Sequence, residues 1–199
     1  MDQEQVISPS ARRAGELDRL LAPAVLAGMI AVTVACLGGM VASWIAGSGF
    51  FTPIYGITAT ISPSTLAASL LHAQAGDAFY VARDPLVAGS AVALTAGGSF
   101  GMVFLLVGRR LTPRWSVALP GGIGYALVLM GVLSLIGLPR ATRLAAASQP
   151  MDGLSSGVGW AVLLLEYALY GAVLGAWVVL RPHDLRHRLP GRKGGAAAL

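Results

Sequence analysis

The chain has 199 residues, 55% of them hydrophobic and only 12% charged, with a mean hydropathy of +0.71. Those values exclude a soluble globular domain, because too little of the chain can face water. The net charge of +5 would suit nucleic acid, but the basic residues flank apolar stretches and form no patch, so nucleic acid is excluded and anionic lipid headgroups are expected as partners.

A membrane-spanning helix needs roughly 20 mostly apolar residues, and that length occurs four times. Residues 1–22 read as a cytoplasmic N-terminal segment carrying Arg12, Arg13 and Arg19. The first span is expected over about 24–45, with Pro23 at the first turn and Trp44 closing it. It is longer than the roughly 7 to 15 apolar residues of a signal peptide and shows no clear cleavage site, so it reads as retained. Cys36 within it is the only cysteine, which rules out an internal disulfide and suits a small packing residue.

Residues 47–84 form the longest predicted loop, too rich in Phe, Tyr, Ile and Leu for a disordered linker. Ser62-Pro63 marks a helix start and Gly76 its stop, which predicts a short amphipathic helix over 64–75. Thr65, Ser69 and His72 share its polar stripe, while Leu66 and Leu70 share an apolar one. Phe50, Phe51, Ile54 and Tyr55 add an aromatic and apolar cluster beside Trp44. These residues suit a lid over the chain's own helix ends or, on the sharper reading, a docking surface for a partner.

The second span is expected over about 85–108, with Pro85 in its first turn and Asp84 capping it. The third covers about 116–138, opened by Trp115, and the fourth about 157–180, with Trp160 and Trp177 near its two ends. Spans two and four share a faint likeness, since Phe100-Gly101 and Tyr170-Gly171 each precede an apolar run ending at Arg109 and Arg181. Residues 23–181 thus make one four-helix membrane domain, followed by a basic tail over 182–199 that is expected to be disordered.

Orientation follows from the cations. Those before span one, Arg109, Arg110 and Arg114 between spans two and three, and the tail's Arg181, Arg186, Arg188, Arg192 and Lys193 all fall on one side. Arg83, Arg140 and Arg143 fall on the other, beside Asp77, Asp84 and Asp152. The positive-inside bias then places both termini in the cytoplasm, the 47–84 loop outside it, and the chain in a bacterial inner membrane. Small residues let membrane helices approach closely, and Gly97 and Gly101, with Gly171 and Gly175 in a GxxxG spacing, read as packing positions.

Glu166 is the only ionisable side chain inside the four spans apart from Cys36 and the tyrosines. Counting from Gly157 at about 1.5 Å per residue puts it roughly 14 Å deep, near the middle of a core about 30 Å thick. Similar counts bring Thr33, Thr95 and Tyr125 to a comparable depth, with Tyr170 one turn from Glu166, so a polar layer is expected there. Intramembrane carboxyls often mark ion or proton routes, but transport usually employs several and this chain has one. The plainer expectation is a carboxyl that holds helices in register by hydrogen bonds.

The histidines His72, His183 and His187 are scattered, so neither a metal site nor intrinsic haem ligation is expected. Nor does the sequence hold a Ser-His-Asp set, paired carboxylates, a phosphate loop or a cysteine pair, so catalysis is not expected. The resulting expectation is a non-catalytic accessory or structural subunit of a larger membrane complex, a respiratory or electron-transfer one being a plausible host. The alternative is a small oligomeric transporter or channel using the Glu166 layer. No cofactor of its own is expected, although the many glycines and alanines leave room for a haem, quinone or pigment shared with a partner.

Overall fold

The computed structural model of the chain describes residues 9–59, 62–108, 114–145 and 157–180. Regular structure among them is entirely helical: α1 (Pro9–Ile45), α2 (Thr52–Thr58), α3 (Pro63–Gln74), α4 (Arg83–Val107), α5 (Trp115–Ala145) and α6 (Gly157–Leu180). Four of these contain apolar stretches long enough to cross a membrane, namely Leu21–Ile45, Arg83–Val107, Trp115–Leu135 and Gly159–Leu180. The shortest, 21 residues, reaches about 32 Å at 1.5 Å per residue, which matches a bilayer core. The chain is therefore an integral membrane protein built on a helical bundle.

Several boundaries differ from those read in the sequence. α1 begins at Pro9, not near residue 24, because residues 10–22 are rich in Ala, Arg and Leu, which favour helix whether or not they are apolar. Pro9 takes the first-turn position, and Pro23 lies inside the helix, where its missing N–H removes one rung of the ladder. α4 begins at Arg83 with Ala82 as its N-cap and no side-chain cap hydrogen bond. Asp84 is thus not the cap; it sits in the first turn, exposed, where its charge favours the positive end of the helix dipole. α5 continues past Leu138 to Ala145, since the polar run after Pro139 can still be helical where it need not span lipid. α6 has the expected bounds.

Packing follows the small residues. An alanine stripe on α1, Ala24, Ala27, Ala31 and Ala35, is buried in the core with Phe104, Leu105, Ala126, Tyr170 and Leu174. Gly28 of α1 faces Gly97 and Gly101 of α4, so closely that a methyl group on Gly28 would come within 2.9 Å of the Gly101 Cα. A second seam joins α5 to α6, where Gly122 and Ala118 face Gly171 and Gly175. At a third, α1 meets α6 with Gly38 under Leu169 and Gly39 under Glu166. α4 is tied to the other two by tyrosines: the Tyr125 hydroxyl of α5 donates to the Phe100 carbonyl (2.9 Å), and the Tyr170 hydroxyl of α6 donates to the Gly97 carbonyl (2.8 Å).

α1 ends at Ile45, and Gly47 follows with φ +75°, a left-handed conformation that glycine tolerates. α2, which the sequence reading did not foresee, packs Ile54 against Gly89 of α4, where any side chain would strike the Ile54 Cγ2 at 2.6 Å. α3 runs from Pro63 to Gln74 and terminates at Gly76, φ +92°. The 1–8 segment, Arg109, Arg110, Asp152, Arg181 and the basic tail with His183 and His187 lie outside the described residues.

Candidate functional site

Glu166 lies on α6 at the seam with α1. Its Oε1 is buried and has no hydrogen-bond partner among the described residues, while the residue as a whole is only half buried. Gly39 makes the space for it, since a Cβ there would coincide with the carboxyl group. Cys36, one turn earlier on α1, lies within electrostatic range of the same group. An unsatisfied buried polar group costs roughly 1–3 kcal/mol, so the carboxyl burdens the bundle as it stands.

The expected polar layer is not assembled. Thr33 and Thr95 are exposed, and each donates its hydroxyl hydrogen bond to its own helix, to the carbonyls of Met29 (2.8 Å) and Ala91 (2.8 Å). Tyr125 and Tyr170 are committed to α4 carbonyls and leave Glu166 without a hydroxyl partner. Both threonines point outward from the bundle, and for Thr33 chain direction adds a difference in depth. α1 and α6 run antiparallel, so equal counts from their starts measure depth from opposite faces. Gly39 stands six residues before the end of its span and Glu166 seven after the start of its own, which puts these two level. Thr33 lies six residues before Gly39 on α1, about 9 Å away along the axis.

The glycines singled out by spacing all serve the interior: Gly97 and Gly101 meet α1, and Gly171 and Gly175 meet α5. Their partners Gly28 and Gly122 were visible in the sequence as glycines but not as contacts. Trp177, near the end of its span, packs against the core, with its Nε1 buried and unpartnered among the described residues.

The segment between α1 and α4 is built inward. Tyr55 is fully buried, its hydroxyl accepting the Ala82 N–H (2.8 Å) and donating to the Tyr80 carbonyl (3.2 Å). Ile54 and Leu66 are buried as well, so these three docking candidates present no free surface; they are the small core that holds the segment onto α4 and itself. Phe50, Phe51 and Leu70 are half buried and His72 is exposed. Two of the three residues of the predicted polar stripe of α3, Thr65 and Ser69, are turned inward, while His72 is not. Ser69 shares a hydrogen bond with Thr52 (3.1 Å) and Thr65 one with Ser62 (2.8 Å), because these short side chains satisfy one another beneath the segment.

Two residues that the sequence reading passed over organise the outer surface. Phe79 contacts both Trp44 (6.0 Å between ring centroids) and Phe50 (5.5 Å). Tyr80 stacks on His72 at 4.2 Å, and His72 Nδ1 pairs with Asp77 at 3.3 Å in a half-exposed ion pair of little energetic weight. No cluster of three or more His, Cys, Asp or Glu suited to a metal occurs among the described residues. Comparison of the chain with protein families, with curated proteins and with solved structures gives no match.

Proposed function

We propose that the chain is a non-catalytic accessory subunit of a larger membrane-protein complex, docked on its partner along the α1–α6 seam at Glu166. The observation that supports this reading is the carboxyl itself: one oxygen is buried without a partner among the described residues, and the side chain is half exposed within a membrane span. Lipid tails offer no donor there, so a donor on a neighbouring membrane helix would remove a cost that the isolated bundle carries. In this reading the cations of the connecting segments and tail hold both termini in the cytoplasm of a bacterial inner membrane. A respiratory or electron-transfer complex is a suitable host.

The same carboxyl position favours a second reading, a small oligomeric transporter or channel in which Glu166 binds an ion or proton. The commitment of Thr33, Thr95, Tyr125 and Tyr170 elsewhere weighs against it.

Affinity extraction of the tagged chain from its native membrane distinguishes the two. The accessory reading expects a stoichiometric larger subunit with the wild type and with Glu166→Gln, which keeps an acceptor, and its loss with Glu166→Leu. A homo-oligomer without other subunits, whose flux in liposomes depends on pH and disappears in Glu166→Gln, supports the transporter instead.

A further inference from the structure

We infer that the exposed aromatic rim of the segment between α1 and α4 is seated in the headgroup layer of the bilayer. The inference needs only that α1 spans the membrane and is independent of the proposed docking at Glu166. The rim consists of Trp44 (49% exposed), Ile45 (77%), Phe79 (55%) and Val81 (55%). Its level is fixed by covalent continuity, because Trp44 and Ile45 are the last two residues of a membrane-spanning stretch. Phe79 reaches the same level through its ring contacts with Trp44 and Phe50, and the Phe50 N–H bonded to the Ala78 carbonyl (2.8 Å) pins its turn to the end of α1.

The rim therefore prolongs the apolar face that α1 shows along its length through Leu37 and Val41. Aromatic rings favour the boundary between headgroups and acyl chains, whereas a contiguous apolar patch in water is costly. The neighbouring side chains divide accordingly. Phe79 goes to Trp44 and Phe50, while the next residue, Tyr80, goes to Tyr55 and to His72, which carries the Asp77 pair. One edge of the segment is thus apolar and another is charged, as a structure lying on a bilayer surface requires. The occupant that fits the rim is phospholipid at the interface.

The single cysteine makes a clean test possible. In a Cys36→Ala background, a nitroxide is attached at Phe79→Cys, with Val34→Cys as a lipid-facing reference within the span and Gln74→Cys as an exposed reference at the end of α3. The full chain is reconstituted in vesicles of phosphatidylcholine and phosphatidylglycerol, and the accessibility of each nitroxide to oxygen and to a water-soluble nickel complex is read by electron paramagnetic resonance. The oxygen-to-nickel ratio at Phe79 is expected to fall between those at Val34 and Gln74. A ratio equal to that at Gln74 overturns the inference, because the rim then faces water and suits a protein partner. Low accessibility to both reagents also overturns it, since the rim is then covered by protein. Should Phe79→Cys fail to fold, Val81→Cys carries the same expectation and the same refuting results.

Discussion

Placing a methyl group on Gly28 tests whether close backbone approach holds α1 to α4. In Gly28→Ala the new Cβ would come within 2.9 Å of the Gly101 Cα and 3.0 Å of the Gly97 carbonyl carbon, and closer still to the Gly97 carbonyl oxygen. Ordinary contact begins at 3.4 Å, and all three atoms belong to backbone that cannot rotate aside. The Gly97 carbonyl oxygen, the nearest of the three, sets the displacement: the helices must part by about 1 Å, a gap that forfeits about half of the dispersion attraction across the seam. Overpacking of this kind costs about 1–3 kcal/mol, offset by up to about 1 kcal/mol because Ala favours helix over Gly. The assay is reversible unfolding in mixed micelles at rising dodecyl sulfate, followed by tryptophan fluorescence, with Gly124→Ala as the matched control. Gly124 is exposed and nothing among the described residues lies within 4 Å of a Cβ there, so that variant should be as stable as the wild type or slightly more so. Equal stability of Gly28→Ala and the wild type, or equal damage from Gly124→Ala, would refute the reasoning.

Other substitutions probe the remaining contacts. Gly39→Ala should destabilise by about 1–3 kcal/mol alone and by clearly less in a Glu166→Ala background, because the clash is with that carboxyl; additive effects in the double-mutant cycle would contradict the placement. Tyr170→Phe, which leaves the Gly97 carbonyl without its cross-helix donor, should cost about 0.5–1.5 kcal/mol in the same unfolding assay, and no change would show that the bond contributes nothing. Tyr55→Phe removes the group that joins Tyr80 and Ala82 to α2 at a cost of about 1–3 kcal/mol. It should speed limited proteolysis within residues 46–82 while the four spans stay resistant; an unchanged cleavage rate would mean that the segment is held by other contacts.

The four spans were legible because hydrocarbon demands about 20 apolar residues per crossing, a requirement written locally in the chain. The start of α1 was not, since helix propensity continues where apolarity stops, and residues 10–22 show the first without the second. Proline misled in the same way: Pro23 looks like a boundary, yet a long helix absorbs it. Inside the connecting segment, Ser62-Pro63 and Gly76 bracket α3 by local chemistry, whereas α2 is short and held mainly by its tertiary contact with α4. The inward turn of Thr65 and Ser69 was hidden because a polar stripe reads as solvent-facing until its partners, Ser62 and Thr52, are known.

Glu166 stood out as a lone carboxyl in an apolar run, but its neighbour did not. Gly39 has no chemistry to announce it, and only an antiparallel depth count from the shared end of α1 and α6 pairs the two. Thr33 and Thr95 were drawn into the layer by depth alone, and depth leaves out direction around the helix, which turns both side chains outward.

The most direct test of the proposed docking at Glu166 is photocrosslinking in the native membrane from Val162, one turn before Glu166 on the same helix face and half buried. A benzoylphenylalanine at that position is expected to yield one main adduct. Its peptide should lie in an apolar span of another protein, with a hydrogen-bond donor side chain within one turn of the attachment point, and its yield should persist in Glu166→Gln and collapse in Glu166→Leu. Adducts with lipid alone or with a second copy of this chain, or a protein adduct indifferent to Glu166→Leu, would contradict the account.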